Sequence, residues 1–382
     1  MKLKIVIACD SFKGSLSSVA VGEAARTGIL EVVPEADVEV VPIADGGEGT
    51  TEAIIDATGG EMVDCTVRGP LGEAVIARYG IYGDTAVIEM AQASGITLIA
   101  PERRNPRLTS SYGTGQMISD ALNRGCRNFL VGIGGSATND GGVGMLQALG
   151  FRFMDSEGLE LGPGGAELED LTTIDVSEIN PLLSQARFTV ACDVTNPLTG
   201  INGASHVFGP QKGADPRTVQ ELDHALAHYA EVVDRLLGKD LSTVPGTGAA
   251  GGMGFAFLAL LNAQLKPGIE MVLDAVDFDR KICGATLIIT GEGYLDAQTC
   301  MGKAPDGVLR RGLRAGIPVV AIGGGVQPEA VPALMGAGFR AVFPVAAGPG
   351  ALEVAMRSEV ASANVQRTAN QIIRTALIPL TI

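Results

Sequence analysis

Tryptophan is absent from this 382-residue chain, and aromatic residues make up only 4% of it. Stacking of single-stranded nucleic acid needs aromatic platforms, so that class of function is not expected. Cationic residues are also scarce: 28 Lys and Arg stand against 43 Asp and Glu, a formal charge of −15. Such a surface repels polyanions and anionic membranes at long range. Small phosphates are a different case, because local amides and lysines, helped by Mg²⁺, can hold them in acidic surroundings.

The six cysteines (Cys9, Cys65, Cys126, Cys192, Cys283, Cys300) lie far apart without a C-x-x-C pair, which implies neither a zinc site nor a disulfide framework. A reducing cytoplasm is the expected setting, and the N-terminus reads as a strand with no secretory leader pattern before it. Residues 241–265 carry no charge, but Pro245 and several glycines occupy the first half. The remaining apolar part falls short of the roughly 20 residues a membrane span needs and reads as a buried helix starting near Gly252. Histidine is nearly missing, with three in the chain. His224 and His228 are four apart but lack the glutamate of H-E-x-x-H, so they read as residues of a surface helix, and His206 has no partner in sequence. No nucleophile elbow or Ser/His/Asp order stands out, which sets hydrolase chemistry aside.

Against these absences stand 52 glycines, near twice the usual share of about 7%. Their positions are informative. In the stretch 287–303, LIITGEGYLDAQTCMGK, an apolar run ends on a glycine turn carrying Glu292, Asp296, Thr299 and Lys303. The run lacks period-two alternation, as expected of a strand covered on both faces. The N-terminal part repeats the pattern. Residues 3–8 form an apolar run ending in CDSFKGS, followed by a helix with Ser17 or Ser18 as N-cap. Residues 38–43 lead into ADGGEGT and a second helix that stops at Gly59-Gly60.

Beyond residue 60 the texture changes to short strands joined by Gly-Pro and Gly-Asp turns, which suggests an antiparallel segment. Strands at 128–133 and 188–191 then run into GGSATNDGGVG and CDVTNP, and after residue 287 the alternation resumes with strands at 319–322 and 341–345. Two parallel strands in residues 1–60 are too few to bury a sheet on both faces, and residues 285–382 supply three more. The chain therefore reads as α/β with two domains. Residues 1–60 and 285–382 form a discontinuous doubly wound, flavodoxin- or Rossmann-like parallel-sheet domain, and residues 61–284 form an inserted mixed α/β domain. Asp10, Asp45, Glu292 and the glycines 323–325 are then expected at strand carboxyl ends along one crevice, where open α/β sheets bind ligands.

Asp10, Asp45, Glu292 and Asp296 with Lys13 and Lys303 suit metal-assisted phosphoryl transfer: carboxylates hold Mg²⁺, lysines meet phosphate charge, and one carboxylate accepts the proton of an attacking hydroxyl. A single aspartate at a strand end is ordinarily a turn or cap residue; four acids on one edge point to chemistry. The loop of Gly134, Gly135, Ser136, Thr138, Asn139 and Asp140 offers amides and hydroxyls as an anion nest. Gly132-x-Gly134-x-x-Ala137 also fits the degenerate dinucleotide fingerprint, which keeps open an NAD-dependent 2-hydroxyacid oxidoreductase, with a non-catalytic nucleotide-binding module as a third reading. A Walker A motif is missing, since Gly302-Lys303 is followed by Ala304 and position 297 is Ala where glycine is needed.

Taken together, DSFKGSL at 10–16, PIADGGEGT at 42–50, GIGGSATNDGG at 132–142, CDVTNPL at 192–198, VFGPQKGA at 207–214, GAAGG at 248–252 and TGEGYLDAQT at 290–299 resemble the motifs of the glycerate kinase type-1 family, in register over essentially the whole chain. The resemblance implies a bacterial-type cytosolic enzyme of two α/β domains that phosphorylates D-glycerate with ATP and Mg²⁺ in the cleft between them. The product it implies is 2-phosphoglycerate, the family label also covering 3-phosphoglycerate. In that setting Asp45 or Asp193 would accept the hydroxyl proton, Lys13 would neutralise the transferred phosphoryl group, and Asp10 would stand beside them. Glu292 and Asp296 would hold Mg²⁺, and Gly134 to Asp140 with Lys303 would bind the nucleotide phosphates. Arg68, Arg103 or Arg104 would grip the substrate carboxylate. D-glycerate and ATP are the expected partners, without nucleic acid or membrane, in a monomer or homodimer.

Overall fold

The structure is a computed structural model that describes residues 3–348 and 350–377, so the outermost residues of the two expected end segments lie outside the described residues. From the N-terminus come β1 (Lys4–Cys9) and β2 (Asp37–Val40). The middle of the chain holds β3 (Glu61–Arg68), β4 (Ala74–Tyr82), β5 (Thr85–Glu89), β6 (Asn128–Gly132), β7 (Arg152–Met154), β8 (Thr173–Asp175), β9 (Arg187–Ala191) and β10 (Gln264–Lys266). Last are β11 (Leu287–Leu295), β12 (Val319–Val326) and β13 (Ala341–Pro344). The chain divides into two compact units, one from Met1–Asp45, Glu52–Thr58 and Val272–Ile382, the other from Gly46–Thr51 and Gly59–Met271.

The first unit is built on a five-stranded sheet of order β13-β12-β11-β1-β2, parallel throughout. β1 is central: Ile5 pairs with Leu287 on one side and Val38 on the other. Ile5, Val6, Ile7 and Ala8 are all 0% exposed, which is why their run shows no alternation; each large aliphatic buried this way contributes about 1.5–3 kcal/mol. Helices Ser18–Leu30 and Ser358–Ala376 cover one face, enclosing Ile5, Ile7, Ile289, Val320, Val365 and Ile372. They approach closely at Gly28, where a Cβ would lie 2.0 Å from the Gln366 carbonyl oxygen. Helix Ala304–Arg314 covers the other face, Gly312 lying against Val319 and Ile288. From β1 the chain steps outward to β2, then returns on the opposite side of β1 to β11 and moves away. That reversal is a topological switch point, and the crevice outside the carboxyl ends of β1 and β11 is the place such sheets use for ligands.

The glycine turn expected to end the strand at Gly291 is part of the strand, which runs on to Leu295, and the glycines 323–325 lie within β12 rather than beyond it. Pairing explains the extension, because Glu292 faces Gly323 and Tyr294 faces Gly325. A Cβ on Gly323 would sit 2.9 Å from Leu295 Cγ, and one on Gly325 2.8 Å from the Tyr294 ring. Only glycine lets the two strands continue side by side with those side chains in place.

The second unit carries a six-stranded sheet of order β10-β9-β6-β5-β4-β3 and a two-stranded ribbon of β7 and β8. β3, β4 and β5 are antiparallel, whereas β5, β6, β9 and β10 run parallel, so the sheet is mixed. Its core includes Phe129 stacked on Phe188 at 4.8 Å and Tyr229 edge-on to Phe255 at 5.4 Å. Helix Pro216–Leu237 starts as its sequence demands, Asp215 accepting from the Thr218 amide at 2.7 Å and proline filling the first turn. On this helix His228 Nε2 hydrogen-bonds the Leu171 carbonyl at 2.6 Å, and His224 is exposed. In segment Ala249–Leu260, Ala250, Gly251 and Gly252 have left-handed dihedrals, and regular helix follows them. Among the described residues no helix is long and apolar enough to cross a membrane. The architecture is the α/β class read from the sequence, with one parallel and one mixed sheet.

Candidate active site

The carboxyl edge of the first sheet opens into a cavity of about 550 Å³. Asp10, Lys13, Asp45, Glu292, Asp296 and Lys303 line it, together with Gly324 and Gly325. Six side chains that the sequence scatters across almost three hundred positions thus share one pocket.

Each is held by local chemistry. Asp10 follows β1 directly; its amide donates to the Gly291 carbonyl at 2.8 Å and its Oδ1 accepts from the Ser11 amide at 2.7 Å. At 5% exposure its carboxyl is pushed up to about 7, first by burial and then by the Asp45 charge, against the opposing Ser11 amide and Lys13. Lys13, exposed, reaches Asp45 Oδ2 at 3.9 Å. Glu292 projects from β11 with Oε1 accepting from the Thr299 hydroxyl at 2.7 Å and Oε2 at 3.7 Å from Lys303 Nζ. Burial raises its pKa, while Thr299 and Lys303 pull it back. Asp296 caps the short helix Ala297–Cys300 in a capping box with Thr299, and its Oδ1 lies 3.4 Å from Lys303 Nζ. One threonine therefore orients both acids, and one lysine stands between them.

Ser18, by sequence a possible helix cap, is a site-building residue. Ser17 does the capping, accepting from the Ala20 amide at 3.2 Å. Ser18, buried, instead donates to the Cys9 carbonyl at 2.6 Å and accepts from the Ile43 amide at 3.0 Å. Its single hydroxyl ties the backbone just before Asp10 to the backbone just before Asp45. Two adjacent serines at a helix start, one more than a cap needs, were the only signal of it.

The remaining expected residues lie in the second unit. Asp193 is exposed, with Oδ1 accepting from the Gly268 amide at 2.9 Å. Gly134 and Gly135 are exposed at the tip of the loop after β6, while Ser136, Thr138, Asn139 and Asp140 are buried. Asp140 is occupied as a loop tie, accepting from the Ser111 amide and hydroxyl at 2.7 and 2.8 Å and from the amides of Gly142 and Gly144. Lys212, 2% exposed, supports the loop from beneath, its Nζ 2.7 Å from Ser136 Oγ and 2.6 Å from the Thr138 carbonyl. Burial drives its pKa down to about 7, against the pull of Asp140. Thr138 Oγ1 and Asn139 Oδ1 are buried with no hydrogen-bond partner. Some of the loop glycines answer to packing: a Cβ on Gly142, whose φ is +75°, would meet Ala256 Cβ at 2.6 Å. The dinucleotide fingerprint lacks its context, because helix Val143–Ala148 begins only beyond Gly142, whereas the motif needs its glycines to open the helix directly. Of the three arginines, Arg68 stacks 4.5 Å over the Tyr112 ring, Arg103 is exposed, and Arg104 has a buried Nε without a partner.

Among the described residues no three His, Cys, Asp or Glu side chains converge to hold a metal by themselves. The first-unit pocket nevertheless fits Mg²⁺, which takes one or two carboxylates and completes its shell with phosphate and water. Four carboxylates and two lysines line that pocket, a donor set of the kind Mg²⁺ uses.

A family model described as the glycerate kinase family matches residues 5–377. The chain is 49% identical over 378 residues to glycerate 2-kinase of Escherichia coli K12, covering 98% of both chains. It is 51% identical over 345 residues to a glycerate kinase of Haemophilus influenzae, covering 90% of this chain and 91% of that one. A crystal structure assigned to a glycerate kinase 2 of Salmonella typhimurium LT2 superposes with a TM-score of 0.90 at 48% identity, covering 98% of each chain. With motifs, fold and near-complete relatives in agreement, the chain belongs to the glycerate kinase family.

Proposed function

We propose that this enzyme transfers the γ-phosphoryl group of MgATP to the 2-hydroxyl of D-glycerate, giving 2-phosphoglycerate and ADP. The observation that supports this most is the cluster of Asp10, Asp45, Glu292, Lys13 and Lys303 at the switch point of a parallel sheet, in a chain whose near-full-length relatives are named for glycerate phosphorylation. The hydroxyl oxygen attacks the γ-phosphorus, the bond to the β–γ bridging oxygen breaks, and ADP leaves with that electron pair. Asp10 takes the hydroxyl proton. We prefer it to Asp45 or Asp193 because a carboxyl poised near neutrality, by burial first and by the Asp45 charge second, is suited to accept and release a proton at working pH. Lys13 meets charge on the moving phosphoryl group, and Lys303 meets it from the β11 side. Mg²⁺, held by Glu292 and Asp296 directly or through water, would supply charge neutralisation along the phosphates. Gly134, Gly135 and Ser136 offer loop amides and a hydroxyl to phosphate oxygens, and Thr138 Oγ1 and Asn139 Oδ1 of the same loop are buried without a hydrogen-bond partner. Arg104, its Nε unpartnered, is our candidate for the substrate carboxylate. We assign the two compact units as the enzyme's two domains, and the six free cysteines fit a reducing cytoplasm.

The test is an ADP-release assay with D-glycerate, MgATP and, separately, NAD. ADP formed only when glycerate is present, with phosphorus NMR showing a phosphate on carbon 2, is the expected result. Absence of glycerate-dependent ADP would overturn the activity; a phosphate on carbon 3 would overturn the regiochemistry.

A further inference from the structure

The first-unit pocket has a second half that the phosphoryl-transfer chemistry leaves unused. Beyond the acids and lysines it is lined by Phe12, Val345, Leu352, Ala355 and Met356, with the amide of Asn364 among them. The segment carrying these residues is docked on the loop that presents Lys13. Ser358 Oγ donates to the Ser15 carbonyl at 3.0 Å, and a Cβ on Gly14 would lie 3.0 Å from Met356 Cε. Leu352 is 72% exposed and Tyr294, also at the pocket, 53% exposed. Large apolar side chains gathered at a cavity mouth mark a surface that a ligand covers. Ser15 Oγ, on the same lining, is buried without a hydrogen-bond partner.

We propose that this apolar half seats the purine base of the phosphoryl donor, held against Leu352, Ala355 and Met356. The inference rests on the kinase reading above and adds where the nucleoside binds. Size and chemistry both favour it. A three-carbon hydroxy acid occupies a small part of about 550 Å³ and has no apolar face to set against this wall. A purine nucleotide uses both halves: its flat ring covers the aliphatic side chains, and its phosphates run toward Lys13 and Lys303, past the Ser15 hydroxyl. Asn364, whose Oδ1 accepts from Arg367 at 2.9 Å and is thereby oriented, supplies a polar group for the base edge.

Leu352→Ala and the double variant Leu352→Ala, Met356→Ala test this. Leu352 contributes little to the core, so its truncation leaves the fold intact, and circular dichroism checks the double variant. In the double variant KM for ATP should rise about tenfold while KM for D-glycerate stays within twofold, the single variant moving part of the way. Binding of a fluorescent N-methylanthraniloyl ADP, measured without glycerate, should weaken by the same factor, whereas competition by inorganic triphosphate, which has no base, should be unaltered. If glycerate-dependent ADP formation persists but KM for ATP does not move, or both KM values rise together, the base site is elsewhere and only this inference falls. If the unaltered enzyme forms no ADP from glycerate and ATP, the kinase reading itself fails.

Discussion

Asp10→Asn should make the protein more stable and less active at the same time, and the gain in stability should depend on pH. Asp10 is buried beside Asp45, and its pKa is raised from 3.8 to about 7. Below pH 4 the carboxyl is protonated in both native and unfolded chains. Between pH 4 and 7 the native protein keeps the proton that the unfolded chain has released, so native stability falls as pH rises through that window. Above pH 7 the full cost of a buried anion is present, about 4 kcal/mol for a shift of some three pH units. Asparagine does not titrate, and its side-chain oxygen can still accept from the Ser11 amide, which now lies 2.7 Å from Asp10 Oδ1. Urea unfolding followed by circular dichroism should therefore show the variant close to the parent at pH 4 or below, increasingly more stable through pH 5 and 6, and more stable by about 2–4 kcal/mol at pH 8. Turnover should drop by about 10²-fold or more, as for loss of a general base. Equal stability differences at pH 5 and pH 8, or a variant no more stable at pH 8, would refute the account of a strained acid at the switch point.

Asp45→Asn removes the nearest like charge from Asp10, so the acid limb of the pH profile of kcat/KM should move to lower pH; an unmoved limb would separate the two residues. Ser18→Ala breaks the tie between the Cys9 carbonyl and the Ile43 amide and leaves both buried without that partner, which should cost about 1–3 kcal/mol by denaturant titration and lower kcat by loosening Asp10 against Asp45. Gly28→Ala puts a methyl 2.0 Å from the Gln366 carbonyl and should destabilise the protein by about 1–3 kcal/mol, a thermal midpoint equal to the parent's contradicting the helix contact. Lys212 is depressed from 10.5 to about 7, so above pH 7 the unfolded chain holds a proton that the native one lacks and stability rises with pH up to about 10. Any advantage of Lys212→Met over the parent should accordingly be largest near pH 7 and shrink by pH 9.5, read from thermal midpoints.

Much of this was legible in one dimension. The central strand announced itself as an apolar run without alternation, and acidic, glycine-containing segments at 9–15 and 44–50 mark where the chain leaves β1 and β2. The seven motifs in register marked the family. Asp215 before Pro216 and the paired serines before the first helix located their helix starts correctly, since capping needs only neighbours in the chain.

What the chain order could not decide was whatever depends on residues far apart becoming adjacent. Local rules read Gly291 and Gly323 as the ends of strands; only their lying opposite one another, with Leu295 and Tyr294 needing the space, makes them interior positions of a longer ladder. Asp10 acquires its raised pKa from burial and from Asp45, and neither is a property of its own segment. The same holds for Ser18, whose hydroxyl serves two strand ends at once, and for Asp140, a nest residue by motif and an interior tie by packing. Short-range propensity and pattern thus settled the elements and the chemistry available, while strand pairing and desolvation, which act through space, decided which carboxylates meet and how strongly each holds its proton.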